Sequence, residues 1–344
     1  MNADEKETEW RIYSASFFEE ALDVGLTANE IEICLAYAQP IFERGLPVIY
    51  DNDHLSNLVG YKIKYIQRAA KAPVNFYRNF TISKRSGKPR TISEPLPSLK
   101  EIQLWVLRNL LDKMPVHPAA KAFVAGRSIK NNARFHRGQR RVLTVDVKDF
   151  FPSISSDRVK AIFVKAGYNS RISSLLANLC CLNGKIPQGS PTSPAISNIV
   201  CLDMDEEFFQ YARSRKLRYT RYADDMTFSG DVIRHSDIKH IYRIMRSYHF
   251  EPNLEKTRLM RPHQRQQITG IIVNNHMQVS REYRRELRQN AYFIGKFGIE
   301  EHAVVNEITH IRFRDHLLGR ANHALHVNSS DRDAIRLKEA LKRF

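Results

Sequence analysis

From Leu217 to Phe228 the chain alternates apolar and polar residues on either side of a short break. Leu217, Tyr219, Met226 and Phe228 share one phase, and Arg218, Thr220 and Thr227 share the other. Period two on both arms predicts a β-hairpin with Tyr222-Ala223-Asp224-Asp225 at its tip. Elsewhere the period lengthens. Phe17, Phe18, Ala21 and Leu22 predict an amphipathic N-terminal helix, and a second follows over 28–38. From Phe76 to Ile92 the pattern turns β-like, with Ser86-Gly87-Lys88-Pro89 as its turn. Leu99, Ile102, Val106 and Leu110 recur at helical spacing, which predicts a helix over 98–112 with a buried stripe. Arg141 to Asp146 reads as a short buried strand. Helices are expected near 156–166 and 170–182, the second stopping at Asn183-Gly184. One more helix, over 194–214, should deliver the chain to the hairpin. Helices and strands mix without strict βαβ alternation, which favours an α+β layer over a doubly wound sheet.

Composition narrows the class. The 344 residues are 42% hydrophobic and 26% charged, enough apolar material for two or three packed subdomains. No run of about 18 apolar residues occurs, so no transmembrane helix and no membrane partner are expected. The acidic start, Met1-Asn2-Ala3-Asp4-Glu5-Lys6-Glu7, lacks the apolar stretch of a secretory signal. Cys34, Cys180, Cys181 and Cys201 form no CxxC pair and no zinc spacing. They read as buried, reduced thiols of a cytoplasmic protein.

The net charge of +17 is unevenly spread. Residues 1–53 hold twelve acids and three bases, and the remainder holds 25 acids and 51 bases. A body of +26 is the electrostatic footprint of a nucleic-acid binder. The acidic segment is not expected to lie along phosphates; it packs on the basic body or meets a protein partner.

Two adjacent carboxylates at a hairpin tip repel each other. Hard oxygen ligands suit Mg²⁺, so a divalent cation gives a reason for the pair; a solvated turn is the other reading. Asp146 is the candidate third carboxylate. It ends the apolar strand Val142-Leu143-Thr144-Val145 and precedes Lys148-Asp149-Phe150-Phe151-Pro152, which suits a pocket floor.

Asp146-x4-Phe151, Pro187-Gln188-Gly189-Ser190-Pro191-x-Ser193-Pro194 and Tyr222-Ala223-Asp224-Asp225 follow the order and spacing of reverse transcriptase motifs A, B and C. Asn253-x-x-Lys256-Thr257 resembles motif D, and Arg90 within Gly87-Lys88-Pro89-Arg90-Thr91-Ile92 resembles the fingers arginine that grips a triphosphate. The resemblance implies a right-hand polymerase fold of α+β class. Its parts would be an acidic N-terminal helical segment (1–53), fingers (54–140), palm (141–275, with finger helices 156–186) and a short helical thumb (276–344). It implies two Mg²⁺ ions on Asp146, Asp224 and Asp225, with the backbone carbonyl of Val147 completing one coordination sphere. Phe151 matches the steric gate that excludes a ribose 2′-OH and selects dNTPs, while Phe150 competes for that place and simple core packing is the other reading. Gln188 and Gly189 resemble the loop at the incoming nucleotide, where glycine permits close backbone approach. Arg90 would grip phosphate through its planar fork, with Lys84 or Arg85 assisting. Lys256 resembles the general acid for pyrophosphate, or is a solvated helix lysine.

Asn132-Ala133-Arg134-Phe135-His136 matches the Asn-Ala-x-x-His signature of retron reverse transcriptases, and Ile268-Thr269-Gly270 departs conservatively from their Val-Thr-Gly. After residue 280 a compact basic tail is expected, without a maturase, endonuclease or protease segment. The retron resemblance implies a cognate structured non-coding RNA, priming from an internal 2′-OH, a branched RNA–DNA product, and an effector protein in anti-phage defence. Asn132 and His136 lie one helical turn apart and either read RNA or satisfy a cap or core. Thr269 and Gly270 are expected on a turn beside the primer strand. Leu287, Ala291 and Ile294 form an apolar stripe, with Arg281, Arg284, Arg285 and Arg288 near it. That basic helix suits an RNA stem-loop, or is a solvated face. His323 and His326 lack a further ligand and read as packing or RNA contacts. Group II intron-like and abortive-infection relatives, the latter possibly independent of template, and an RNA-binding scaffold restraining a toxin are the alternatives.

Overall fold

The structure is a computed structural model that describes residues 3–83, 87, 89–305 and 312–343. It begins with α1 (Ala3–Asp23) and α2 (Ala28–Glu43). A capping box starts α2: the Glu30 N–H donates to the Thr27 hydroxyl and the Thr27 N–H to the Glu30 carboxylate. α3 (Asn52–Val59) and α4 (Ile63–Lys71) lead to the antiparallel pair β1 (Tyr77–Ser83) and β2 (Pro89–Pro95). Then come α5 (Pro97–Asn109), α6 (Ile129–Phe135), β3 (Arg141–Val147), α7 (Ser156–Ala166) and α8 (Ser170–Cys180). α9 (Ser193–Val200) and α10 (Leu202–Ser214) precede the hairpin of β4 (Arg218–Tyr222) and β5 (Asp225–Gly230). α11 (His235–Ser247), β6 (Pro252–Met260), β7 (Gln267–Ile268) and β8 (Ile271–Ile272) follow. The last elements are α12 (Arg281–Phe297), α13 (Ile299–Val305), α14 (Phe313–Val327) and α15 (Arg332–Lys342).

The chain divides into two compact units, Met1–His117 with Asp149–Asp203, and Pro118–Lys148 with Met204–Phe344. This partition differs from the four-part division expected above. In the first unit residues 1–53 are part of a shared core. Ile31, Ile41, Leu55, Ile66, Ile102 and Phe163 are all buried. The Tyr168 hydroxyl donates to Pro47 O at 2.7 Å and the Tyr37 hydroxyl to Ile49 O at 2.8 Å. α1 turns Trp10, Tyr13 and Phe17 onto Phe42 and Tyr50 and buries Ala21, whereas Phe18 and Leu22 are exposed, so the stripe keeps Phe17 and Ala21 of the four expected residues.

α7 matches its expected bounds because Ser155 caps its start and left-handed Gly167 ends it. α8 stops at Cys180, two residues short. Asn183 and Gly184, both at positive φ, form instead the tight turn that pairs Leu182 with Lys185. The single helix expected over 194–214 is two, since Cys201 at ψ 0 leaves the helical path and ends α9.

The second unit is built on a four-stranded antiparallel sheet in the order β4-β5-β3-β6. Val142, Leu143 and Val145 of β3 are buried, as a central strand covered on both faces requires. Leu287, Ile294, Leu317, Ala321 and Leu337 of the C-terminal helices join Val142, Ile268 and Ile271 in one apolar cluster. Helices α12, α14 and α15 therefore share a core with the sheet. No helix among the described residues is long and apolar enough to cross a membrane. All four cysteines are free thiols; Cys180, Cys181 and Cys201 are buried and Cys34 is half-buried.

Candidate active site

Antiparallel register brings the candidate carboxylates together. β3 and β5 pair from Arg141↔Gly230 down to Asp146↔Asp225, so two acids end neighbouring strands directly opposite each other. The β4–β5 hairpin closes on Tyr222↔Asp225, which leaves Ala223 and Asp224 as a two-residue loop. Ala223 has φ 57, a left-handed conformation that costs a non-glycine residue about 1–2 kcal/mol. The Val147 N–H donates to Asp224 O at 3.0 Å, tying the loop to the end of β3.

β6 supplies a cation. Its register against β3 jumps from Thr144↔Arg258 to Asp146↔Asn253, so residues 254–257 bulge out of the ladder. The Thr257 hydroxyl donates to Asn253 O at 3.1 Å and closes the bulge. Lys256 thus sits on a bulged strand, not on a helix. Its Nζ donates to both Asp146 oxygens at 3.0 Å, and Asn253 Nδ2 donates to Oδ2 at 3.1 Å.

Burial pushes the Asp225 carboxyl up to about 7; the charges of Asp224 and Asp146 add to the effect, and Lys256 opposes it. Excess negative charge remains here although one ammonium is already present. Three hard carboxylates with that electrostatic demand fit a divalent cation. As the side chains stand, no group of three or more His, Cys, Asp or Glu among the described residues is gathered around one point, and Lys256 meets Asp146 instead.

A cavity of about 590 Å³ opens beside these groups, lined by Asp146, Asp225, Lys256, Arg258, Thr269 and Gly270 among others. Thr269 (φ 45) and Gly270 (φ 87) form the two-residue turn between β7 and β8, where both central residues need positive φ. The Thr269 hydroxyl is buried without a hydrogen-bond partner. Arg258 and Arg265 also line this cavity and were not singled out from sequence. Position i+2 from Lys256 on a strand is the signal that was available for Arg258.

The back of the hairpin is held by two polar groups. On the Thr220 phase, His136 Nδ1 lies 2.6 Å from Ser229 Oγ and Nε2 lies 2.7 Å from Thr220 Oγ1, while the Thr220 hydroxyl is 2.5 Å from Asn132 Oδ1. Asn132 and His136 are both 0% exposed. Of the two readings, RNA contact and cap or core satisfaction, the burial and these partners favour the second: the two side chains lock α6 onto β4 and β5. Burial, with Arg218 and Lys121 nearby, depresses the His136 pKa to about 3. On the opposite phase, Arg221 forms a fork with Asp205 of α10, Nε to Oδ1 at 2.8 Å and Nη2 to Oδ2 at 2.6 Å, both side chains fully buried. Sequence reasoning missed this pair. The signal was a charge on the apolar phase of the hairpin.

In the first unit Arg90 is exposed on β2, Phe151 is half-buried beside buried Phe150, and Lys84 lies outside the described residues. The Ser93 N–H donates to Gln188 O at 2.8 Å, which seats the Gln188-Gly189 loop on β2. Gly189 has φ 126, and a Cβ there would meet Ser93 O at 2.6 Å. On α12, Leu287 and Ile294 are buried as expected and Ala291 is half-buried. Arg285 is exposed, Arg284 is half-buried, and Arg288 pairs with Asp333 at 3.6 Å. His323 packs edge-on against Tyr283.

Residues 82–273 match the family described as reverse transcriptase (RNA-dependent DNA polymerase). The chain is similar to the retron Ec86 reverse transcriptase of Escherichia coli, 35% identical over 267 residues, covering 75% of this chain and 83% of that protein. The retron Mx162 reverse transcriptase of Myxococcus xanthus is 39% identical over 228 residues, 58% of this chain and 47% of that protein. The Mx65 enzyme of the same organism is 36% identical over 270 residues, 71% of this chain and 63% of that protein.

Proposed function

The chain belongs to the reverse transcriptase family and is of the retron type, and from that premise we propose that it copies a cognate structured non-coding RNA from an internal 2′-OH. It is an RNA-directed DNA polymerase with a right-hand fold. The proposed product is multicopy single-stranded DNA joined to RNA through a 2′,5′ branch. The observation that supports this most is the register Asp146↔Asp225, with Asp224 next in the loop and the Thr269-Gly270 turn on the same cavity.

Asp146, Asp224, Asp225 and the Val147 carbonyl would hold two Mg²⁺, whose charge when bound acidifies the attacking sugar hydroxyl and neutralises the leaving pyrophosphate. Lys256 Nζ lies 3.0 Å from Asp146, and in this reading the lysine is the general acid for the leaving pyrophosphate. Arg90, assisted by Lys84, binds the triphosphate of the dNTP. Phe151 excludes a 2′-OH, and Gln188 with Gly189 meets the incoming nucleotide. Thr269 and Gly270 serve the primer strand, and Arg284, Arg285 and Arg288 serve a stem of the cognate RNA. A retron effector protein in anti-phage defence is the further partner, with the acidic segment 1–53 as its dock and the cytoplasm as its place.

The test is the nucleic acid that copurifies when the protein is expressed with its flanking DNA. A single DNA species joined to RNA by a debranching-sensitive linkage is the expected result. Heterogeneous DNA without an RNA branch would move the enzyme to another reverse transcriptase subfamily.

A further inference from the structure

We propose that Arg221 is a positioning residue for the catalytic hairpin, holding the peptide plane that sets the direction of Asp224. The inference rests on polymerisation at Asp146, Asp224 and Asp225.

Arg221 lies on β4 immediately before the Tyr222-Ala223-Asp224-Asp225 turn, on the phase that faces α10. A buried guanidinium and carboxylate lose their hydration, and such a pair is no more stabilising than well-packed apolar side chains of similar volume. Its presence in a core of Phe208, Tyr219 and Phe228 therefore calls for a geometric reason. Asp205 is oriented by three donors: Arg221 Nε, Arg221 Nη2 and the Tyr219 hydroxyl at 2.7 Å. That leaves Nη1, which donates to the carbonyl of Ala223 at 3.1 Å.

The Ala223 carbonyl belongs to the peptide unit joining Ala223 to Asp224, so this bond fixes the plane on the N-terminal side of Asp224. The plane on its C-terminal side is fixed by the Val147 N–H on Asp224 O. Both planes flanking one catalytic carboxylate are thereby held. Ala223 itself sits at φ 57, where a residue with a Cβ stays only if its surroundings over-determine it. The backbone of Arg221 is also clamped, its N–H donating to Ala119 O at 2.9 Å and its carbonyl accepting from Lys121 N–H at 2.7 Å. The guanidinium is thus anchored at its root and at its fork, and its one remaining arm reaches the strained residue.

Two variants test the proposal. Arg221→Lys keeps the charge but offers no rigid fork. The triple variant Asp205→Leu, Tyr219→Phe, Arg221→Met removes the charged pair together with the hydroxyl that meets it, and with them the bond to the Ala223 carbonyl. Circular dichroism and thermal melting establish the folded fraction. Steady-state synthesis on a poly(rA)/oligo(dT) primer-template gives kcat and the KM for dTTP, and electron paramagnetic resonance gives the affinity for Mn²⁺. The expected result for the folded triple variant is a kcat lower on the order of 100-fold, with KM for dTTP little changed. Mn²⁺ binding should weaken in parallel, and Arg221→Lys should fall between the two. An unchanged kcat per folded molecule with unchanged Mn²⁺ affinity would overturn the proposal and leave a purely structural pair. Absence of synthesis by the parent enzyme would overturn the functional reading instead, and the Mn²⁺ affinities would still decide the positioning role.

Discussion

Asp146 and Asp225 are direct cross-strand partners, an arrangement in which like charges destabilise a sheet. Burial raises the pKa of Asp225 to about 7, and the charges of Asp224 and then of Asp146 add to the shift. An unfolded aspartate releases its proton near about 3.9. The folded carboxyl therefore binds more protons than the unfolded one between those values, and its contribution to metal-free stability falls as pH rises through that window. In EDTA, Asp225→Asn should raise Tm over the parent at about pH 8, and the gain should vanish near about pH 4. Millimolar Mg²⁺ should raise the parent's Tm and leave Asp224→Asn/Asp225→Asn unmoved. Equal shifts in both proteins would remove these carboxylates from metal binding.

The same double substitution separates synthesis from recognition. Asp224→Asn/Asp225→Asn keeps the hairpin's volume and removes only charge, so DNA synthesis should be abolished while RNA captured from cells is retained. A folded double variant that no longer copurifies with RNA would count against that division.

Lys256 Nζ covers both oxygens of Asp146, the oxygens a cation would need. Lys256→Met should therefore tighten Mn²⁺ binding measured by paramagnetic resonance. If the lysine also protonates pyrophosphate, kcat should fall by about 10²–10⁴-fold despite the better-occupied site. Unaltered Mn²⁺ affinity would show that the ion pair does not compete.

The hairpin, the strand ending at Asp146 and the bounds of α7 were legible because each is encoded locally, in period-two alternation or in a cap at Ser155 and Gly167. The break at Cys201 carries no glycine or proline, and only geometry reveals it. Asn183-Gly184 reads as the stop of a helix; in the structure it is the turn of the Leu182–Lys185 pairing, which leaves no periodic signal. His136 was ambiguous for a different reason. Spacing at i, i+4 puts Asn132 and His136 on one face without saying which way it points, and the partners Thr220 and Ser229 lie 84 and 93 positions further along. Arg221 could have been flagged: it breaks the apolar phase that Leu217, Tyr219, Met226 and Phe228 establish.

Gly189 has neither space nor backbone freedom to spare. A methyl group would meet Ser93 O at 2.6 Å and Ile92 Cγ2 at 2.9 Å, at φ 126. Gly189→Ala should destabilise by about 1–3 kcal/mol through backbone strain alone. It should also raise the KM for dNTP as the Gln188-Gly189 loop leaves β2. Unchanged Tm and unchanged KM together would show that the loop shifts freely and that its seating on Ser93 has no functional weight.

His136 makes the clearest pH prediction. Buried between Thr220 and Ser229, it stays neutral in the folded protein down to about pH 3. In the unfolded chain it takes up a proton near about pH 6.5. The folded-state pKa is depressed, so its contribution to stability is intact above about pH 6.5 and is lost as pH falls toward 3, by up to about 1.4 kcal/mol per pH unit. His136→Gln keeps a hydrogen-bonding side chain that cannot titrate. It should cost about 1–3 kcal/mol at pH 7 through imperfect partners and flatten the acid limb of the melting profile. Because the side chain is 0% exposed, RNA binding per folded molecule should not change. Weaker RNA binding with an unaltered melting profile would return His136 to the RNA interface and contradict the buried network described above.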